Sequence, residues 1–160
     1  MVLKNIPLSF VLILLFVSAC NSTKKTENNY VQYVNPLIGT DFTGNTYPGA
    51  QVPFGMVQLS PDNGLPGWDR IAGYFYPDST IAGFSHTHLS GTGAGDLYDV
   101  SFIPVTLPYR EAPQPLGIYS SFSHDDESVS AGYYQVLLKD YGIHVELTAT
   151  ERCGIQRYTF

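Results

Sequence analysis

Basic residues and long apolar runs are scarce in this sequence. Lysine and arginine together number 8 against 14 aspartates and glutamates, which gives a formal net charge of −6 at pH 7. Proteins that bind nucleic acids rely on lysines and arginines that neutralise phosphates, and no basic stripe occurs here. The composition therefore excludes a nucleic-acid partner. The apolar run near the N-terminus, residues 6–17, has about a dozen residues, whereas a membrane-spanning helix needs about 20.

That short apolar run predicts an export signal. It follows the positive charge of Lys4 and ends in "VSAC", residues 17–20, where small residues precede a cysteine. This order is typical of a bacterial lipoprotein signal, and an ordinary signal peptide with an incidental cysteine is the alternative. We expect a signal peptide over residues 1–19 and a lipidated Cys20 that anchors the protein to a membrane. The expected location is the outer membrane or the periplasm.

A polar segment and then a folded domain follow the predicted signal. Residues 20–29 contain no large apolar side chain after Cys20, which predicts a flexible tether. Removal of the signal peptide takes away one basic residue and leaves a net charge of −7. If Cys20 is acylated, Cys153 has no disulfide partner within the chain. We expect Cys153 to be a small buried side chain on a strand.

The pattern over residues 30–160 predicts an all-β fold. The whole sequence contains 15 glycines and 11 prolines, and those between residues 30 and 160 interrupt every helical periodicity there. Residues 133–138 and 143–149 alternate between apolar and polar side chains around the turn "KDYG", which predicts a hairpin. Further strands are predicted over the ranges 55–60, 71–76, 80–86, 101–107 and 155–160. Several short strands without crossover helices predict an antiparallel β-sandwich or barrel. Because the strand pattern runs to Phe160 without a polar terminus, we expect the polypeptide to continue beyond it.

The stretch "GFSHTHLSGTGAGDLYDV", residues 83–100, combines two histidines with three alternating glycines. Its glycines lack the spacing of a dinucleotide loop and the Gly-Lys-Ser/Thr end of a phosphate loop. If the segment is extended, His86 and His88 lie on one face. Three interpretations remain open for this pair: a metal site, structural hydrogen bonding, or hydrogen bonding to a substrate. A metal site has the least support because further ligands at a suitable spacing are missing.

Loop aspartates and the one tryptophan are the other candidates for chemistry. The aspartates in glycine- or proline-rich segments are Asp41, Asp62, Asp69, Asp96 and Asp99. Glycoside hydrolysis needs two carboxylates, but loop aspartates more often cap turns, and some contact substrates. Trp68 lies in "LPGWDRIAGY", and its indole is suited either to core packing or to stacking on the flat face of a sugar.

Four motifs together resemble a known family. "YVNPLIGT", "TYPGAQVPFGMVQLSPD", "AGFSHTHLSGTGAGDLYDVSFIPV" and "GYYQVLLKDYGIHVELTATERCGIQRYTF" are similar to the N-terminal domain of glycoside hydrolase family 92. These enzymes are exo-acting α-mannosidases, many of them α-1,2-specific. The resemblance implies a β-sandwich that packs on a C-terminal (α/α)6 barrel, and hydrolysis with inversion assisted by Ca2+.

The same resemblance implies how the work is divided between the two domains. The catalytic acid, the catalytic base and most calcium ligands are expected on the barrel, so we expect no catalytic residue and no metal ligand in residues 30–160. The sandwich would supply one wall of the pocket for mannose-terminated glycans. The residues expected to line that wall are Trp68, Asp69, His86, His88 and Asp96. Alternatives are a stand-alone carbohydrate-binding lipoprotein and a domain that only stabilises the barrel.

Overall fold

The computed structural model describes residues 29–91, 93–109, 111–113 and 117–160. The chain divides into two units, residues 1–30 and residues 31–160. The predicted signal peptide, Cys20 and nearly all of the predicted tether lie outside the described residues. In the described part, no helix is both long and apolar enough to cross a membrane.

The described residues contain no α-helix, and their regular structure is antiparallel β-sheet with three short 3-10 turns. The turns are Tyr30–Tyr33, Trp68–Arg70 and His124–Asp126. The strands are β1 Ala50–Gln51, β2 Gln58–Asp62, β3 Thr80–Ile81, β4 Gly83–Ser85, β5 Glu111–Ala112, β6 Gly117–Ile118, β7 Ser120–Ser121, β8 Glu127–Ser130, β9 Tyr133–Leu138, β10 Ile143–Ala149 and β11 Gly154–Thr159. The all-β, antiparallel prediction is confirmed.

Two sheets dominate this architecture. One has the order β1-β2-β4, and the other has the order β11-β10-β9-β8; the pairs β3-β7 and β5-β6 are smaller. The predicted hairpin is β9-β10, with Leu138 opposite Ile143 and Tyr133 opposite Thr148. Gly142 closes its turn at a φ of +65°, a conformation that glycine adopts without a steric penalty.

Side chains from the facing sides of the two sheets form one hydrophobic core. Period-two alternation directs one side chain of each adjacent pair inward, as the burial pattern of β10 shows. The fully enclosed members from the two sheets are Ala50, Leu59, Phe84, Tyr134, Val136, Leu138, Ile143, Val145 and Leu147. This packing of sheet against sheet is the predicted sandwich.

Several local predictions are wrong. Residues 71–76 form a turn and an irregular segment instead of a strand, and residues 101–107 contribute only one isolated bridge, between Phe102 and Phe84. The predicted strand 80–86 is split into β3 and β4, which belong to different sheets. Cys153 is exposed in the turn between β10 and β11 rather than buried, because the alternation of β10 ends at Ala149.

Candidate functional site

An open groove lies between two loops at the end of β2. One wall is the loop of residues 64–71 and the other is the loop of residues 95–101; the volume is about 500 Å³. The residues that line it are Asp62, Gly64, Leu65, Pro66, Gly67, Arg70, Ile71, Gly73, Ala82, Gly95, Tyr98 and Ser101. We call this the Asp62 groove. It brings together two loops that the sequence analysis treated separately, the tryptophan loop and the end of the glycine run.

The floor of the Asp62 groove is a polar cluster around Gly73. A Cβ atom at Gly73 would lie 2.5 Å from Asp62 Oδ1, 3.0 Å from Tyr98 Cε1 and 3.1 Å from His88 Cδ2. Its φ of +84° also favours glycine. Glycine is therefore needed here for two independent reasons, and its missing side chain lets three functional groups converge.

His88 is buried beneath this floor and is fully engaged. Its Nδ1 lies 2.7 Å from the Gln58 carbonyl oxygen, and its Nε2 lies 2.9 Å from Asp62 Oδ1 and 3.1 Å from Ser85 Oγ. The Tyr47 and Tyr98 rings flank the imidazole, with centroids 5.0 and 5.9 Å away. His88 holds the Asp62 carboxylate in place; it is not directed into the groove.

A nucleophilic triad is not formed by these groups, although serine, histidine and aspartate are adjacent. In a triad, the serine and the aspartate contact opposite ring nitrogens, so that the base can pass a proton. Here Ser85 and Asp62 both face Nε2, and a backbone carbonyl occupies Nδ1. Ser85 is also fully buried, so its hydroxyl cannot meet a substrate. The cluster is a structural and positioning network.

His86 lies elsewhere. Its Nδ1 contacts the Val100 carbonyl oxygen at 2.9 Å, and its ring meets Phe102 edge-on at 6.1 Å. It lines a second, smaller groove of about 290 Å³ together with Phe102, Gly154, Gln156 and Tyr158. The two histidines therefore do not share one surface, because β4 ends at Ser85 and the extended geometry that would align them does not continue.

Trp68 and Asp69 lie on the 3-10 turn that follows the groove-lining Gly67. The Trp68 side chain is 62% exposed, which rules out core packing for it in the described chain. Arg70 ends the turn and lines the groove, and its Nε donates to Asp78 Oδ2 at 2.6 Å. Hydrogen bonding to Asp78 is the main reason why the pKa of Arg70 is raised, so its charge is already paired.

Asp96 lies on the opposite wall, next to the groove-lining Gly95. It is exposed, and its Oδ1 accepts a hydrogen bond from the Leu97 backbone N–H at 2.8 Å. The following Leu97, Tyr98 and Val100 all have positive φ, at 75°, 58° and 53°. Such backbone is uncommon for residues other than glycine and costs about 1–3 kcal/mol at each position. It directs the Tyr98 hydroxyl towards the Ile71 carbonyl oxygen, to which it donates a hydrogen bond across the floor.

The electrostatics of the groove are acidic. Burial raises the pKa of Tyr98, and the negative charges of Asp62 and Asp96 raise it further. Asp62 Oδ2 is enclosed and has no hydrogen-bond partner in the described part of the chain. An enclosed carboxylate oxygen without a hydrogen-bond partner is unfavourable, so this atom carries an uncompensated desolvation cost.

Calcium does not fit the described residues alone. Ca2+ takes 6–8 oxygen ligands, and Asp62 Oδ2 is a single hard oxygen. Within residues 29–160, the masked positions apart, no three His, Cys, Asp or Glu side chains are grouped to hold a metal ion.

One residue of the groove, Tyr98, was not predicted from the sequence, and the position of a second, Asp62, was not predicted. Tyr98 was not identified, although its position between Asp96 and Asp99 in a glycine-rich segment marks an exposed loop. Asp62 was recognised only as one loop aspartate among five, whereas it ends β2 and forms the groove floor. Its pairing with His88, 26 residues away, has no signal in one sequence.

Comparison with solved structures first defines the class of the protein. The chain is 47% identical, with a TM-score of 0.76 over 81% of its length, to the family GH92 α-mannosidase BT3965 from Bacteroides thetaiotaomicron, solved in complex with mannoimidazole. It is 31% identical, with a TM-score of 0.61 over 81% of its length, to the family GH92 inverting mannosidase BT2199 from the same organism. The sandwich is therefore that of a glycoside hydrolase.

The particular family follows from the sequence. The model of the glycosyl hydrolase family 92 N-terminal domain matches residues 33–160, and the chain belongs to this family. A relative described as an uncharacterized secreted glycosidase, from Arthroderma benhamiae, is 30% identical over 84% of the chain. The chain spans about 18% of the length of each of these three relatives.

Proposed function

We propose that this chain is the N-terminal part of an exported, lipid-anchored exo-α-mannosidase that acts on α-1,2-linked mannosides with inversion. The family match over residues 33–160, together with 47% identity to a solved α-mannosidase, supports this most directly. A secreted relative agrees with export. The catalytic acid, the catalytic base and the Ca2+ ligands would lie outside the described residues, so the chain by itself would be inactive.

The Asp62 groove would form one wall of the mannose pocket. Its open shape, its neighbouring exposed indole and its acidic rim suit a neutral, hydroxyl-rich ligand. Trp68 would stack on the apolar face of a sugar ring, while Asp69 and Asp96 would accept hydrogen bonds from hydroxyls. His88 would act through Asp62. His86 would contribute only if a second sugar reached the smaller groove.

Hydrolysis of α-1,2-mannobiose by the full-length protein tests the proposal. We expect release of mannose whose first-formed anomer is β, seen by proton NMR, because inversion of an α-linkage gives that product. Activity should disappear with a calcium chelator and return with added Ca2+. Binding of mannobiose without hydrolysis would instead support a carbohydrate-binding protein, and first formation of the α-anomer would exclude inversion.

The contribution of the groove is tested at Trp68. We expect Trp68→Ala to lower kcat/KM by up to about 10-fold, since an aromatic contact contributes about 0.5–1.5 kcal/mol. Trp68→Phe keeps a flat ring and should lose less. An unchanged kcat/KM in Trp68→Ala would show that the sandwich stabilises the enzyme without touching the sugar.

The lipid anchor has a separate test. Cys20→Ser should move the protein from the membrane fraction to the soluble fraction of the producing bacterium, because it removes the thiol that would be acylated. Retention of the variant in the membrane fraction would contradict the anchor but not the mannosidase.

A further inference from the structure

The turn that carries Trp68 has few restraints of its own. It is a single 3-10 turn, residues Trp68–Arg70, and the preceding Gly67 offers no side-chain cap. The Arg70 backbone N–H donates to the Gly67 carbonyl oxygen at 3.1 Å, which closes the turn. An exposed indole on such a short turn would sample several orientations unless a neighbouring group fixed the turn.

Arg70 supplies that restraint at the C-terminal end of the turn. Its guanidinium makes two hydrogen bonds to the Asp78 carboxylate, one from Nε to Oδ2 at 2.6 Å and one from the Nη2 group to Oδ1. The guanidinium carbon also lies 4.6 Å above the centre of the Phe75 ring. Asp78 is nearly buried, so this pair is shielded from solvent on one side. A paired, stacked guanidinium has one orientation, unlike a solvated one.

The segment that receives Arg70 is itself anchored to the sandwich. The Phe75 backbone N–H donates to Asn63 Oδ1, and the Asn63 side-chain amide donates to the Thr80 carbonyl oxygen at 2.7 Å. Asn63 is fully buried and directly follows β2. A continuous set of contacts therefore runs from the sheet through Phe75 and Asp78 to Arg70, and so to the tryptophan turn.

We propose that Arg70 and Asp78 are positioning residues that fix Trp68 at the rim of the Asp62 groove and so set the affinity for the sugar. This inference rests on the proposed function for its effect on substrate, but not for its effect on the indole. Arg70 lines the groove without offering it a free charge, because Asp78 pairs with that charge. A lysine cannot replace it, since an ammonium group lacks both the planar fork and the stacking on Phe75.

A double-mutant cycle in the full-length protein separates positioning from simple stabilisation. We expect Arg70→Lys to raise KM for α-1,2-mannobiose by about 3–10-fold and to leave kcat nearly unchanged, since it removes orientation at the rim rather than chemistry. The variant Trp68→Ala/Arg70→Lys should be no worse than Trp68→Ala alone. If the fold-change in the double variant equals the product of the fold-changes in the two single variants, the inference is overturned, because Arg70 then acts independently of Trp68.

Arg157→Lys is the matched control. Arg157 makes a similar two-bond contact with Glu146, but on the outer surface of β10 and β11. The substitution Arg157→Lys should change neither the KM for α-1,2-mannobiose nor the environment of Trp68. If it reproduces the effect of Arg70→Lys, the loss of any arginine pair is sufficient and the positioning role is refuted. Asp78→Asn, which keeps the shape of the partner, provides a second variant if Arg70→Lys folds poorly.

Fluorine NMR of protein labelled with 5-fluorotryptophan gives a readout that does not need activity. The Trp68 resonance is the one that disappears in Trp68→Phe. We expect Arg70→Lys to shift or broaden this resonance, and Arg157→Lys to leave it unchanged. A Trp68 resonance that is identical in Arg70→Lys and wild type would overturn the inference even in an active mannosidase. Inactivity of the wild type on every α-mannoside would instead count against the proposed function.

Discussion

The sheet of residues 127–159 and the loop-rich segment of residues 36–109 are held together by different means. In the sheet, backbone pairing is continuous; β9 and β10 pair over six residues and bury every second side chain. In the loop-rich segment the strands have two to five residues, and long connections separate them. The regular alternation of apolar and polar residues is enough to specify the fold of the sheet, whereas the fold of the loop-rich segment depends on contacts of individual side chains.

Side chain-to-backbone hydrogen bonds stabilise that second region. Asn63 joins β2 to residues 75 and 80, and Thr46 Oγ1 donates to the Ile38 carbonyl oxygen at 2.8 Å. The imidazole of His88 reaches the backbone of β2, and the Tyr98 hydroxyl reaches the backbone of Ile71. Because loops lack the regular backbone hydrogen bonds of paired strands, their buried polar groups must form hydrogen bonds with side chains in this way. The candidate site lies in the region built from such contacts.

Removal of a core side chain from the sheet should have the largest effect on stability. We expect Leu147→Ala, at a position that is 1% exposed, to lower the free energy of unfolding by about 2–5 kcal/mol through lost burial and a cavity. Urea denaturation of the full-length protein measures this loss. Ile155→Ala on β11, where the side chain is 56% exposed, should cost less than about 0.5 kcal/mol. Equal losses would contradict the assignment of the inner face.

Substitution of two glycines with positive φ, one in each region, allows a direct comparison of the regions. Gly73→Ala should cost about 2–4 kcal/mol, since it combines an unfavourable backbone with a steric clash against Asp62 Oδ1. Gly142→Ala in the β9-β10 turn meets no atom within 4 Å and should cost about 1–2 kcal/mol from the backbone alone. Thermal unfolding of both variants measures the difference. A Gly142→Ala variant that is as unstable as Gly73→Ala would show that the convergence of groups at Gly73 is unimportant.

A smaller effect is expected from alkaline pH. Burial raises the pKa of Tyr47, which lies beside His88, to about 12 from an ordinary value of 10. A raised folded-state pKa means that the neutral phenol contributes stability that is complete below pH 10 and is lost as pH rises towards 12. The unfolding midpoint of wild type should therefore fall over that window, and that of Tyr47→Phe should fall less steeply. If the midpoints of wild type and Tyr47→Phe fall in parallel with pH, Tyr47 ionises equally easily in the folded and the unfolded state.

The sequence predicted the regular sheet well and the irregular region poorly. The boundaries of β9 and β10 agree with the alternating ranges, because periodicity and burial have the same cause there. The prediction of a strand over residues 71–76 was wrong, since Ile71 and Tyr74 are buried by the folding of a turn rather than by pairing. Cys153 was misplaced because an alternating pattern does not reveal where a strand turns.

The candidate site was only partly predictable for a related reason. Trp68 and the glycine run were recognised from residue type, and both belong to loops beside the Asp62 groove. The different environments of His86 and His88 depend on where β4 ends. The pairing of Asp62 with His88, and of Arg70 with Asp78, joins residues whose separation carries no periodic signal.

The exposure of Trp68 has an experimental consequence. An indole in water fluoresces at longer wavelength than one enclosed by apolar groups, and this chain contains 1 tryptophan. In the full-length protein, the emission of Trp68 is the difference between wild type and Trp68→Phe, and titration with a non-hydrolysable sugar would move it towards the blue if a ring covers the indole. The residue thus offers an intrinsic optical probe of occupancy, with no dye attached.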